Sequence, residues 1–257
     1  MTLFPDAFPD ALWLTASPAL KKFDQRLLCQ LNRYTAIQRW EYHQTADEPC
    51  CLETPVTLLH DYLKSCSAPV HLLGHGLSGI VGLMYARRFP QRVKSLTLLS
   101  VNATPALNWQ AHYYALRQLL PCSRDIVLAQ MVKLLFGPQG YDLTKVLVEV
   151  LKQDLDTGLS LHSLMSRSNV PSGPIDPPLL VCYGSYDNVL AQPLHERWQP
   201  YLKSTDRLWQ CVGGRHFFHF DQPKALTQAI RHHWQQQDHG TVTVPVSVPA
   251  HVLTEET

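Results

Sequence analysis

The residues best suited to chemistry lie in three short segments far apart in the chain. The first, residues 71–90, reads HLLGHGLSGIVGLMYARRFP: an apolar run meets a glycine-rich turn and continues into a helical pattern, with Ser78 near its start. The second, PPLLVCYGSYDNVL, carries Asp187 just after an apolar run, and the third, CVGGRHFFHFDQP, carries His216. Carboxylates and imidazoles are the residue types of general acid–base chemistry, and a serine hydroxyl is one of nucleophilic chemistry. Metal chemistry has no comparable pattern. The 13 histidines are mostly scattered, without the spacing zinc ligands need. The seven cysteines (29, 50, 51, 66, 122, 182, 211) form no C-x-x-C, and the adjacent Cys50 and Cys51 make a poor clamp. They read as reduced thiols of a cytoplasmic protein, and neither a metal nor a cofactor is expected. The GHGLSG string satisfies a bare G-x-G-x-x-G, but the acid that dinucleotide sites place about 20 residues later is absent.

These segments must be positioned by a sheet. Apolar runs at 11–14, 35–42, 69–74, 93–101, 178–183 and 207–212 read as strands. Helical periods fall between them at 19–34, 54–63 and 77–89, and one closes the pattern at 223–236. Short strands alternating with helices imply βαβ units and a mostly parallel sheet of about six strands. From 102 to 176 the pattern turns wholly helical, with segments near 106–121, 123–136, 142–154 and 158–167. Such an insertion belongs over the C-terminal strand ends, where ligands bind in open α/β sheets, so it reads as a cap. The expected organisation is a core of residues 1–101 and 177–238, a four-helix cap at 102–176, and an extended or disordered tail at 239–257 whose alternating valines are broken by Pro245 and Pro249. Trp109, Tyr113, Tyr114 and Trp198 are candidates to line a pocket beneath the cap. His75 reads as packing and His219 as a neighbour of the site or exposed. His232 and His233 are expected to favour the end of the last helix.

Composition narrows the function classes. The chain has 257 residues and a formal charge of +1, with 45% hydrophobic and 17% charged residues. That is enough apolar material for a large core and too much for a disordered chain. A near-zero balance offers no basic surface for nucleic acid. No 18-residue apolar run occurs, so no transmembrane segment is expected, and the N-terminal MTLFPDAFPDALWL lacks the basic region of a secretory signal.

The segment at 71–90 closely resembles the nucleophile elbow of the α/β-hydrolase superfamily, a G-x-S-x-G on a sharp strand-to-helix turn. The other two segments resemble the strand that delivers the family's acid and the loop that delivers its histidine. All three occur in family order, with a helical insertion between elbow and acid, and the resemblance spans about residues 11–236. It implies an α/β-hydrolase fold, with Asp187 as acid and His216 as base. The nucleophile position falls on Gly76, which has no hydroxyl. Ser78 stands where the second glycine belongs; at 100° per residue it points about 200° away from residue 76, into helix–sheet packing. The oxyanion-hole donors implied are the Leu77 N–H and the Ala16 N–H, although Thr15-Ala16-Ser17-Pro18 replaces the family's usual H-G pair. The strand at 11–14 lies so near the start that two strands usual in the family are expected to be missing, leaving a different strand at one edge.

Three functions follow from these residues. The leading one is a protein without serine-hydrolase activity that binds a small apolar ligand under the cap, or a protein partner in an assembly role. The rival is a serine-independent hydrolase or lyase, acting on a small ester, thioester or carbonyl compound through the His216–Asp187 dyad. The third is a hydrolase whose elbow shifts Ser78 into the nucleophile's place.

Overall fold

The computed structural model describes residues 9–44, 47–48, 51–102, 108–158, 171–190 and 193–239. Six strands form one sheet: β1 (Ala11–Thr15), β2 (Ile37–Glu41), β3 (Val70–His75), β4 (Val93–Leu99), β5 (Leu179–Gly184) and β6 (Arg207–Cys211). Their order is β2-β1-β3-β4-β5-β6, and every pairing is parallel. A parallel sheet is covered on both faces, which is why β1 reads ALWLT with all five residues buried rather than as an alternating pattern. Among the described residues β2 stands at an edge of the sheet, where all five of its residues stay partly or fully exposed.

The chain leaves β1 in one direction to form β2, then returns to lay β3 on the other side of β1 and moves steadily away. The point of reversal lies between β1 and β3. In an open α/β sheet the strand ends diverge there, leaving a crevice at their C-terminal rim. In this chain that crevice is flanked by Ala16 and Ser17 after β1 and by Gly76 after β3.

One face of the sheet is covered by α1 (Gln25–Leu31) and α9 (Pro223–His239), whose Leu27, Leu31, Leu226, Ile230 and Trp234 pack on Trp13, Leu73, Leu99 and Leu180. The other face is covered by α2 (Glu53–Leu63), α3 (Leu77–Arg88) and α7 (Leu194–Trp198). Glycine lets α3 approach closely: a Cβ at Gly79 would lie 2.4 Å from Val101 Cγ2. Between β4 and β5 stand α4 (Trp109–Leu119), α5 (Arg124–Phe136) and α6 (Tyr141–Thr157). They share an apolar centre of Val127, Leu128, Met131, Val132, Leu135, Leu147 and Leu151 that also takes in Leu20, Phe23 and Phe217 from the sheet side.

Several local expectations change. The segment 19–34 is not one helix. A 3₁₀ turn at Pro18–Lys22 turns Leu20 toward the helical insertion, and α1 begins only at Gln25. Two short helices, α7 and α8 (Phe218–Asp221), are too brief to leave a period in the sequence. The last helix runs on through His239. The fourth cap helix and the tail beyond 239 lie outside the described residues. No helix among the described residues is long and apolar enough to cross a membrane.

Candidate functional site

The turn from β3 into α3 is made by a single residue. Gly76 has φ 51° and ψ −121°, a region that strains any residue with a side chain. Its N–H donates to Leu99 O at 2.9 Å, and its carbonyl accepts from the Gly79 and Ile80 N–H groups, so the backbone is held from both sides. A Cβ at Gly76 would meet nothing within 4 Å: the residue faces open space. No side chain caps the N-terminus of α3, so the positive end of its dipole borders that space.

Asp187 follows β5 and is 1% exposed. Its Oδ1 accepts from the Val189 N–H at 3.0 Å, and His216 Nδ1 donates to Oδ2 at 3.0 Å and Oδ1 at 3.2 Å. Burial pushes this carboxyl upward, but the charge and hydrogen bond of His216, with the Ser100 hydroxyl and the Val189 amide, outweigh it and hold Asp187 below its ordinary value. The bond to Nδ1 leaves His216 Nε2 as the nitrogen free for chemistry. The close approach of β5 to the histidine loop fixes the pair, since the Tyr186 N–H donates to Gly214 O at 2.8 Å. His216, Gly76, Leu77 and Ser78 line one cavity of about 50 Å³, roofed in part by Asn108, Trp109 and Gln110 of the helical insertion.

Ser78 departs from expectation. It is buried, at 6% exposure. The space it enters is not plain helix–sheet packing, however, because the end of β1 reaches it. Its Oγ accepts from the Ala16 N–H at 2.8 Å and lines the cavity. Among the described residues it makes no hydrogen bond to His216. Ala16 therefore presents its amide to a side chain of the protein itself.

Other groups around the cavity left no pattern in the sequence. Ser100 is the one non-glycine residue at positive φ among those described, at 46°, and its hydroxyl donates to His216 O at 2.7 Å. His75 Nε2 donates to the same carbonyl at 3.0 Å, so two side chains brace the histidine backbone. Burial, then the neighbouring His219 and His216, hold His75 well below its ordinary pKa, so it is a neutral brace at neutral pH. His219 is buried rather than exposed: its Nε2 lies 3.3 Å from Asp24 Oδ1, while Trp13 Nε1 donates to Asp24 Oδ2 at 2.9 Å. From the helical side, His112 Nε2 donates to Val189 O at 3.2 Å, tying α4 to the acid loop.

A second tie lies within the helical insertion. Asp154 of α6 is wholly buried and accepts from Gln110 Nε2 of α4 at 3.0 Å. Burial, only partly offset by Gln110 and Ser17, pushes its carboxyl up to about 7. The aromatic candidates separate. Trp109 lines the cavity, Tyr113 and Tyr114 pack within the helical insertion, and Trp198 lies in the core on the far side of the sheet, donating to Val101 O at 3.2 Å. His233 does not serve a helix end: it is 2% exposed, and burial lowers its pKa to about 4, which keeps it uncharged.

Comparison with known proteins places this geometry. The sequence model of the alpha/beta hydrolase family matches residues 5–229. An uncharacterized protein of Synechocystis sp. is 43% identical over 224 residues, 87% of this chain and 89% of its own; an uncharacterized protein of Nostoc sp. is 39% identical over 226 residues, covering 88% and 90%. Among solved structures, a hydrolase from Pseudomonas aeruginosa aligns with a TM-score of 0.60 at 23% identity, covering 87% of this chain and 89% of that one. The type II thioesterase YbtT of yersiniabactin biosynthesis aligns with a TM-score of 0.63 at 14% identity, covering 92% and 97%. At these identities the structural likeness speaks for the fold alone. With the family model spanning most of its length, the chain belongs to the alpha/beta hydrolase family.

Proposed function

We propose that this protein is a family member without serine-hydrolase activity, Gly76 standing where the nucleophile would stand, and that it binds a small ligand in the cavity beneath the helical insertion or a protein partner in assembly. The observation that carries the reading is the turn itself: the strand-to-helix backbone is kept in its strained conformation, yet the residue there carries no hydroxyl. Without a nucleophile the covalent route through an acyl intermediate is closed, and the loss of that route costs most of the rate such sites achieve. The size of the cavity, about 50 Å³, suits a small ligand or a few waters.

A second reading has its own support. The Asp187–His216 pair keeps hydrogen-bonding geometry inside the cavity, as a general base acting on water or a substrate proton requires. Under that reading the protein is a serine-independent hydrolase or lyase on a small ester, thioester or carbonyl compound.

Rates on p-nitrophenyl esters of two to eight acyl carbons, for the protein as it stands and for His216→Ala, separate the two. The proposed function expects no turnover that His216→Ala removes, and no labelling by a fluorophosphonate probe. Turnover that disappears in His216→Ala overturns it in favour of the dyad enzyme. Labelling that disappears in Ser78→Ala overturns it in favour of a displaced serine nucleophile.

A further inference from the structure

We infer that Ser78 is an internal plug: its hydroxyl oxygen occupies the corner where the Ala16 N–H would hold a substrate's carbonyl oxygen, so the site is closed to acyl chemistry twice over. The inference rests on the reading that Gly76 occupies the nucleophile position and goes beyond it, because it concerns the other half of the machinery.

The argument is geometric. An oxyanion-hole donor stabilises charge only when an oxygen sits about 2.7–3.1 Å from it. Ser78 Oγ sits 2.8 Å from the Ala16 nitrogen, inside that interval and on the same donor. One N–H directs its proton at one acceptor, and two oxygens cannot share that spot without overlapping. The plug is also hard to displace. Ala16 and Ser78 are 2% and 6% exposed, and Ser78 is fixed in the first turn of α3. The hydroxyl has a reason to stay as well, since a buried amide left without an acceptor costs about 1–3 kcal/mol. A hydroxyl at position 76 would therefore face a carbonyl held by the Leu77 N–H alone.

The test is a set of four proteins: the natural chain, Gly76→Ser, Ser78→Gly, and the double substitution that restores the G-x-S-x-G pattern. Hydrolysis of p-nitrophenyl acetate is read alongside hydrogen exchange at the Ala16 amide. The absence of one oxyanion donor lowers kcat by about 10²–10³-fold, so the double variant is expected to exceed Gly76→Ser by about 100-fold. Ala16 exchange is expected to quicken at least about tenfold once the hydroxyl is gone, by the loss of its bond. A Gly76→Ser protein within about threefold of the double, or a double that is inactive while folded, overturns the inference. So does Ala16 exchange that ignores residue 78. Gly76→Ser/Ser78→Ala, which spares helix propensity, must give the same ranking and serves if the glycine variant does not fold. If the natural chain already shows His216-dependent turnover, the proposed function fails, but the plug does not. It is then judged by whether Ser78→Gly raises that turnover at least about tenfold, and equal or lower turnover overturns it.

Discussion

Replacing Asp154 by asparagine tests whether two helices of the insertion are held together by a proton. The carboxyl is wholly buried, bonded to Gln110, and burial raises its pKa from the ordinary 3.8 to about 7. Between those values the folded protein keeps a proton that the unfolded chain has released. The folded state thus binds more protons, and stability must fall as pH rises through that window. The slope is about 1.4 kcal/mol per pH unit and flattens as pH nears 7, so Asp154 should cost about 2 kcal/mol between pH 5 and pH 7 and little further above that. Asparagine keeps the shape and an oxygen for Gln110 to bond, but it cannot ionise. Urea unfolding followed by tryptophan fluorescence at pH 5, 6, 7 and 8 gives the difference in stability between the two proteins at each pH. That difference should shift toward Asp154→Asn by about 2 kcal/mol from pH 5 to pH 7, whatever other groups titrate in both. A difference constant to within about 0.5 kcal/mol across that range, an accuracy such fits reach for paired variants, would refute the buried-proton argument.

Three further outcomes follow from the packing. Gly184→Ala places a Cβ 2.3 Å from Gly214 O and 2.6 Å from Arg215 O, backbone atoms that cannot rotate aside; it should destabilise by about 3 kcal/mol and broaden or shift the His216 ring signals in ¹⁵N NMR. Trp198→Ala removes a fully buried indole and its bond to Val101 O, for a loss of about 3–5 kcal/mol in urea unfolding; a loss under about 1 kcal/mol contradicts the core placement. His233 carries the opposite sign to Asp154. Its pKa is lowered from 6.5 to about 4, so the unfolded chain takes up a proton that the folded state refuses. Its contribution is intact above about pH 6.5 and is lost toward pH 4. Relative to His233→Phe, the natural chain should lose about 2 kcal/mol between pH 7 and pH 5; parallel stability curves would count against that.

The frame of this site was legible because it is local. Buried parallel strands are written as continuous apolar runs, and β1, β3, β4 and β5 were read within a residue or two at each end that bears on the site. The approach of Asp187 to His216 followed from the family order of three motifs, and the crevice from where a helical insertion must sit. What was not legible depended on contacts across the chain. Helix geometry gave only an expected direction for Ser78, and the fold alone brings the β1 end to meet its hydroxyl. Asp24 and His219 stand 195 positions apart and belong to no motif, so their pairing had no signal. Ser100 adopts a left-handed backbone that serine does not advertise, since tertiary bonds impose it. The break at Phe23 and Asp24 hid inside a good helical period because both side chains turn inward, one to the aromatic cluster of Phe136 and Phe217 and the other to Trp13.

The exposed edge at β2 has a consequence for how these molecules meet one another. Glu41 there lies within 4 Å of Lys21, Arg39 and His43, and Arg39 also reaches Asp24. Such exposed pairs add little to the free energy of one folded chain. Set along a strand that has no outer neighbour among the described residues, they act instead between molecules, because a second chain must strip water from these charges before it can pair. That guard weakens as salt rises: charges felt over about 10 Å at 0.1 M reach only about 3 Å at 1 M. Resistance to association through this edge thus becomes a property of the buffer as much as of the chain.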